Sequence, residues 1–414
     1  MAVPAPQRRM PVADLFFLSI YWLGLNVHWG ALLSVAVPAE VLRFATEAEK
    51  GTRLSMVFAG GALVALIVMP LAGALSDRSM SPYGRRRPFI FAGAILNAIA
   101  LLLFARAPTF ALLVLTYWFV QFSNNLGGSA YSGFIPDLVV PEQRGAASGF
   151  MGLMIMLGTI GGAAVAGILM ERGQRMPLYV AVAGVLLFTM LLTIWRVREE
   201  PLRSRPPFDL REFLRGFWIN PREHPDFAWL FASRFLTLMG FYTLLAFLQF
   251  FLKDFLHIER FKEATGTLTA AVVVGALPSA FVAGWLSDRV GRRVMASASS
   301  ILMGVLCAVF LIAPSFTFML ALGVIFGLGY GAFVSVEWAL AADVLPSAAR
   351  AATHLGIWGI SATLPQVVGP SLAGPVLDAF NRTRPGLGYV VIFLAGALYF
   401  VIGGLLIWKI RRAR

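Results

Sequence analysis

Cysteine is almost missing from this chain: Cys307 is the only one. One thiol cannot close an internal disulfide or build a cysteine-rich metal site. Charge is scarce as well, with 13% of the 414 residues Asp, Glu, Lys or Arg against 58% hydrophobic. A water-soluble domain cannot bury so much apolar surface, so the solvent implied is lipid. Acidic residues are the rarer sign, 21 against 34 basic, for a formal net charge of +13. Nucleic-acid binding would need that excess on one face of a soluble domain. Here the basic residues fall in short loops and at the end of the chain (Lys409, Arg411, Arg412, Arg414), where they read as topology determinants beside anionic headgroups. No nucleic-acid partner is expected.

Other absences narrow the chemistry. No Gly-rich loop ending in Lys-Ser or Lys-Thr is present, which excludes ATP drive within the chain. No apolar run carries paired His and acidic ligands, and no Ser or Cys has a base at helical spacing. Neither an enzyme nor a metal or other cofactor is therefore expected. No small-residue cleavage site follows the first apolar run at the usual distance, which predicts an uncleaved first helix.

Apolar runs are what the chain has in abundance. A membrane-crossing helix takes about 20 residues. Runs of about this length lie near 15–38, 54–76, 88–105, 109–137, 146–170, 177–195, 227–252, 266–287, 294–313, 315–342, 353–377 and 387–408. They predict an all-α integral membrane fold of twelve transmembrane helices in two six-helix bundles, 1–195 and 227–414. Between them, 196–226 carries five prolines among Arg and Glu and reads as a cytoplasmic linker. Within it, Phe208 to Trp218 has the pattern of a short interfacial amphipathic helix. Lys and Arg accumulate in alternate loops, which puts both termini in the cytoplasm of a cell's inner membrane.

The two halves share a signature. Gly73-Ala74-Leu75-Ser76-Asp77-Arg78 followed by Gly84-Arg85-Arg86-Arg87 is matched later by Gly284-Trp285-Leu286-Ser287-Asp288-Arg289-Val290-Gly291-Arg292-Arg293. A second landmark keeps register: Asp137 precedes Arg144-Gly145 as Asp343 precedes Arg350-Ala351. A parallel repeat of this kind is an architecture of secondary transporters. The signature resembles that of the major facilitator superfamily, over essentially the whole chain. The resemblance implies a cytoplasmic gate in which Arg78, Arg85, Arg86, Arg289, Arg292 and Arg293 pair with Asp77, Asp137, Asp288 and Asp343.

A narrower likeness lies in the first half. Ser76 to Ile90, followed by Asn124-Asn125 and Asp137-Leu138, resembles the plant sucrose carriers and the wider glycoside-pentoside-hexuronide cation symporters. At the position of the sucrose carriers' proton-taking Asp this chain has Gln121, and at that of their later Arg it has Ser132. An amide exchanges no proton. The run from Leu54 to Leu75 also lacks the carboxylates that bind sodium in melibiose-type carriers.

Few polar groups sit at membrane depth, where a charge costs about 2.5–3.5 kcal/mol on insertion scales. Arg234 in the seventh run and Glu337 in the tenth lie at similar depth on helices that, by the resemblance, line the central cavity; a charge pair is expected, with Glu337 the first candidate for carrying a coupling proton. Candidate substrate contacts are Asn26 and His28 in the first run, Gln121, Asn124 and Asn125 in the fourth, Tyr242 and Gln249 in the seventh, with Trp338 and Trp358 as faces for a sugar ring. His354 and Gln366 are weaker candidates. The bland alternative for the amides is bonding between helices. The expected function is transport of a small-molecule substrate, a sugar or glycoside, coupled to protons, by a monomer in the lipid bilayer. Export of amphipathic compounds or drugs, or a non-transporting role in assembling membrane complexes, remains open from sequence.

Overall fold

A computed structural model describes residues 9–202, 220–344 and 351–411, without the side chains of 342 and 351–357. The segment expected as an interfacial helix, the side chain of His354 and the last two arginines lie outside the described residues. The long helices are α1 (Val12–Val41), α2 (Lys50–Ser76), α3 (Arg87–Arg106), α4 (Phe110–Ser132), α5 (Arg144–Glu171), α6 (Arg175–Arg196), α7 (Pro225–Asp254), α8 (Phe261–Val290), α9 (Arg292–Val309), α10 (Phe316–Val344), α11 (Ala351–Thr383) and α12 (Leu387–Leu406). Each falls on one of the apolar runs.

Among the described residues, ten helices are long and apolar enough to cross a membrane. The two long helices outside that group are α4 and α11. Gln121, Asn124 and Asn125 dilute the apolarity of α4; Gln366, Asp378 and three internal prolines (Pro365, Pro370, Pro375) do the same in α11. Lipid-facing sides are apolar: Leu63, Ile67, Leu71 and Leu75 recur every fourth residue along α2, and all are about half exposed. Water would not tolerate such a stripe, whereas hydrocarbon does.

Helix ends follow local chemistry. Thr109 caps α4, its hydroxyl accepting from the Leu112 N–H at 3.3 Å. Prolines occupy the first turn of α3 and α7, where a missing N–H costs nothing. Gly291, at φ +107°, ends α8 in a conformation that side chains rarely adopt. Inside α1, Leu32–Ala36 widens into a π turn. Pro38 follows at once and can give no N–H to the carbonyl one turn back.

The described residues form two compact units, one within Met1–Glu40 and Gly60–Pro207, the other within Val41–Ala59 and Phe208–Arg414. In the first, α1 and α5 meet backbone to backbone: a Cβ on Gly162 would lie 2.2 Å from the Val27 carbonyl oxygen, and one on Gly158 2.6 Å from that of Leu23. Gly161, by contrast, faces open space. Glu40, fully buried at the end of α1, receives two bonds from Arg175, Nε to Oε1 and Nη2 to Oε2, each 2.7 Å, and a third from the Tyr179 hydroxyl at 3.2 Å. In the second unit, α8 and α10 make the close crossing, with a Cβ on Gly327 1.9 Å from the Val272 oxygen and one on Gly275 2.0 Å from that of Val324. Asp378 on α11 accepts from the N–H groups of Gly51 and Thr52 at 3.0 and 2.7 Å and from the Thr52 hydroxyl at 2.6 Å. Those N–H groups open α2 and have no partner within their own helix, so the carboxylate closes it from a distant part of the chain.

Candidate functional site

The repeated signature folds the same way in each unit. In the first, Arg86 lies between two carboxylates, Nη2 to Asp77 at 2.6 Å and Nε to Asp137 at 2.6 Å, while Nη1 donates to the Ala130 carbonyl at 3.2 Å. Gly133 makes room for it: a Cβ there would lie 2.1 Å from the guanidinium carbon. Arg85 approaches Asp137 at 2.5 Å and Glu199 at 3.3 Å. In the second unit, Arg292 approaches Asp288 at 2.9 Å and Asp343 at 2.7 Å. Arg289 lies over the Trp285 ring at 3.9 Å, and Arg293 donates to the Ile410 carbonyl at 2.6 Å. Arg78 is half-buried at the turn after α2. Each Asp-Arg-Asp triad therefore ties the loop after one helix to the far end of another within its own unit.

Glu199 completes the first triad, and sequence reading missed it. Its Oε2 accepts from the Arg86 N–H at 2.8 Å, and Gly84, at φ +105°, brings the loop against it. Burial lifts its pKa above the ordinary carboxylate value, against the pull of the Arg86 N–H and the two guanidinium charges. The pKa of Arg85 is raised as well: burial opposes its charge, but Asp137, Asp77 and Glu199 more than offset that. The one available signal was the run Arg198-Glu199-Glu200, which reads as solvated linker.

Two polar clusters lie deeper. In the first unit, His28 is fully buried, its Nδ1 3.4 Å from Asn124 Nδ2 and its ring edge-on to Trp29. Its Nε2 has no hydrogen-bond partner. Gln121 donates to the Tyr117 hydroxyl at 3.0 Å, and Asn125 donates to the Gln121 carbonyl and side chain at 2.7 and 3.1 Å. The α4 amides thus form two sets, Asn125 with Gln121 and Tyr117, and Asn124 with His28. Asn26 stands apart: it donates to the Trp22 carbonyl of its own helix at 2.8 Å, and its Cβ lies beside Gly158 of α5. Asn97, unread in the sequence, bonds the α4 backbone at Val120 and the Ser123 hydroxyl.

In the second unit, Arg234 Nε stands 2.7 Å from Glu337 Oε1, with the two residues 8% and 2% exposed. The guanidinium lies 4.4 Å from the Trp358 ring centre and 5.6 Å from that of Trp338. Aromatic faces hold a cation in this way for roughly 0.5–2 kcal/mol. Trp358 is fully buried, while Trp338 is half exposed. Around the pair, Tyr242 accepts from Gln366 Nε2 at 3.0 Å, and Tyr330 stacks on Phe241 at 4.3 Å. Gln249 is buried two turns beyond Tyr242 on α7. The pair is incompletely bonded: Arg234 Nη1, Glu337 Oε2 and Trp358 Nε1 are buried without hydrogen-bond partners.

The chain as a whole has known relatives. The family described as MFS/sugar transport protein matches residues 50–402. The multi-drug resistance efflux pump PmrA of Streptococcus pneumoniae serotype 4 is 25% identical over 402 residues, 92% of each chain. Sucrose transport protein SUC4 of Arabidopsis thaliana is 30% identical over 124 residues, 26% of this chain and 24% of that one. Two solved transporters share the fold. A bacterial homologue of the human lysosomal transporter Spinster, inward-facing and unoccupied, has a TM-score of 0.74 at 16% identity over 97% of this chain and 98% of its own. The nucleoside transporter NupG has a TM-score of 0.74 at 14% identity, over 98% of this chain and 100% of its own. The chain belongs to the MFS/sugar transport protein family, as a multi-pass membrane transporter of the major facilitator fold and not an enzyme.

Proposed function

We propose that this secondary transporter moves a small uncharged polar solute, a sugar or glycoside, by proton-coupled alternating access. Its two six-helix bundles are 1–195 and 227–414, joined by a cytoplasmic linker at 196–226, in the inner membrane of the cell with both termini on the cytoplasmic side. The observation that carries the reading is the Arg234–Glu337 pair, buried between two indoles on a membrane helix pair. A charge pair in that setting is costly and marks a solute or ion path. Glu337 takes the coupling proton, and Arg234 holds the carboxylate when the proton leaves. The amides of Gln121, Asn124 and Asn125, together with His28, supply donors and acceptors for hydroxyls. The Asp-Arg-Asp triads stiffen the cytoplasmic loops as gate elements. The likenesses to a sucrose carrier and to the sugar transport family support the cargo class.

The test is uptake by the purified monomer in proteoliposomes across a panel of saccharides under an imposed pH gradient. Gradient-driven accumulation is expected in wild type and is lost in Glu337→Gln. An unchanged rate in the variant would remove Glu337 from the coupling role. One observation favours a second reading, outward export of amphipathic compounds: the likeness to PmrA extends over 92% of the chain. Dye efflux from loaded vesicles, with no saccharide uptake, would select it.

A further inference from the structure

Two buried arginine–carboxylate pairs in this protein are built differently. Arg175 and Glu40 form a closed set: two parallel bonds of 2.7 Å, with the Tyr179 hydroxyl and the Ala105 carbonyl taking further valences. That is how a guanidinium fork satisfies a carboxylate. Arg234 and Glu337 touch at a single point, Nε to Oε1, and even that 2.7 Å approach is not aligned as a hydrogen bond. A donor (Arg234 Nη1), an acceptor (Glu337 Oε2) and a second donor (Trp358 Nε1) are left over within one cluster. Buried polar atoms are almost always bonded, so a set of three around one charge pair calls for a ligand that bonds them.

From this geometry we infer that the Arg234–Glu337 pair recognises two adjacent hydroxyls of an uncharged saccharide or polyol and rejects charged relatives of either sign. This deepens the transport reading above and rests on it. A hydroxyl both donates and accepts. One hydroxyl can give its proton to Glu337 Oε2 while its neighbour accepts from Arg234 Nη1. A carboxylate in their place would satisfy Arg234 but meet Glu337; an ammonium would satisfy Glu337 but meet Arg234. In a buried site such like-charge contact is strongly unfavourable, so the pair screens against both. Trp338, half exposed beside the guanidinium, offers the open indole face on which a sugar ring rests.

The test uses the full chain in proteoliposomes and three matched probes: a neutral methyl hexoside, the uronic acid and the amino sugar of the same ring. Each unlabelled probe competes against equilibrium binding of the labelled neutral one, a readout that does not require turnover. In wild type the neutral probe should compete at least about tenfold better than either charged one. Glu337→Gln, which keeps Arg234, should gain competition by the uronic acid; Arg234→Gln, which keeps Glu337, should gain it by the amino sugar. The double variant, free of buried charge, should lose the distinction, and it serves where a single variant does not fold. Equal competition by all three probes in wild type overturns the inference, as does a shift in the same direction in both single variants. Absence of competition by any saccharide, together with efflux of a lipophilic cation, overturns the transport reading itself as well.

Discussion

At the scale of single residues, two arginine–carboxylate pairs divide the labour. Removing one partner of a buried pair leaves an uncompensated charge and costs about 3–5 kcal/mol. Arg175→Gln is therefore expected to destabilise by about that amount, read as a drop in the unfolding midpoint in detergent, because Glu40 is fully buried. At Arg234 and Glu337 the double replacement by Gln is expected to stay within about 1 kcal/mol of wild-type stability while abolishing transport, since neutral isosteres often replace a buried pair without loss. Loss of folding in the double variant would reassign that pair to structure. Glu199 supplies a pH dependence. Burial raises its pKa, so the folded state holds its proton more tightly than the unfolded chain. Its contribution is most favourable at low pH and is lost as pH rises through the raised value. Glu199→Gln should flatten that part of the stability–pH curve, measured as unfolding midpoint from about pH 4.5 to 7.

Among the elements, the close crossings decide most. Where a Cβ on Gly327 would fall 1.9 Å from a backbone oxygen, no rotamer change relieves the clash. Gly327→Leu should cost about 1–3 kcal/mol or more through overpacking, against little change for Gly161→Ala, which faces open space. Thermal unfolding of the two variants side by side checks this. At the start of α2, Asp378→Asn keeps a cap but removes its charge, and a drop of about 1–2 kcal/mol is expected from the weaker bonds to Gly51, Thr52 and the helix dipole. These elements differ in how well sequence announces them. Run length and the Gly-Arg repeat are local, so the helices could be read from spacing, and the resemblance carried by the repeat implied the pairing of its arginines and aspartates. The partnership of Asp378 with Gly51 spans 327 residues and has no local trace. The Glu40–Arg175 fork and Glu199 are hidden for the same reason. Asn26 and His28, two apart on α1, point in nearly opposite directions, so the two candidates do not share a face.

Over the whole molecule, the single cysteine makes orientation testable. Cys307 is buried against the Phe393 carbonyl, so Cys307→Ser gives a silent background. A cysteine introduced at Ser81 should react with an impermeant maleimide only from the cytoplasmic face, and one at Thr46 only from outside. Labelling of both from one face would overturn the proposed orientation. Substrate class was the least legible property of the sequence, because it depends on which donors and acceptors remain unbonded after packing. Arg234, Glu337 and Trp358 come from three helices, and only their assembly leaves Arg234 Nε and Nη1, Glu337 Oε2 and Trp358 Nε1 unbonded. The wide turn at Leu32–Ala36 carries a further consequence. It accommodates one residue more than an ordinary helical turn, so deleting a single residue there would restore a regular helix and leave everything beyond it facing as before, whereas the same deletion in the regular part of α1 would swing the end of the helix through about 100°. Only that second deletion would point Glu40 away from Arg175 and unlock the end of the helix.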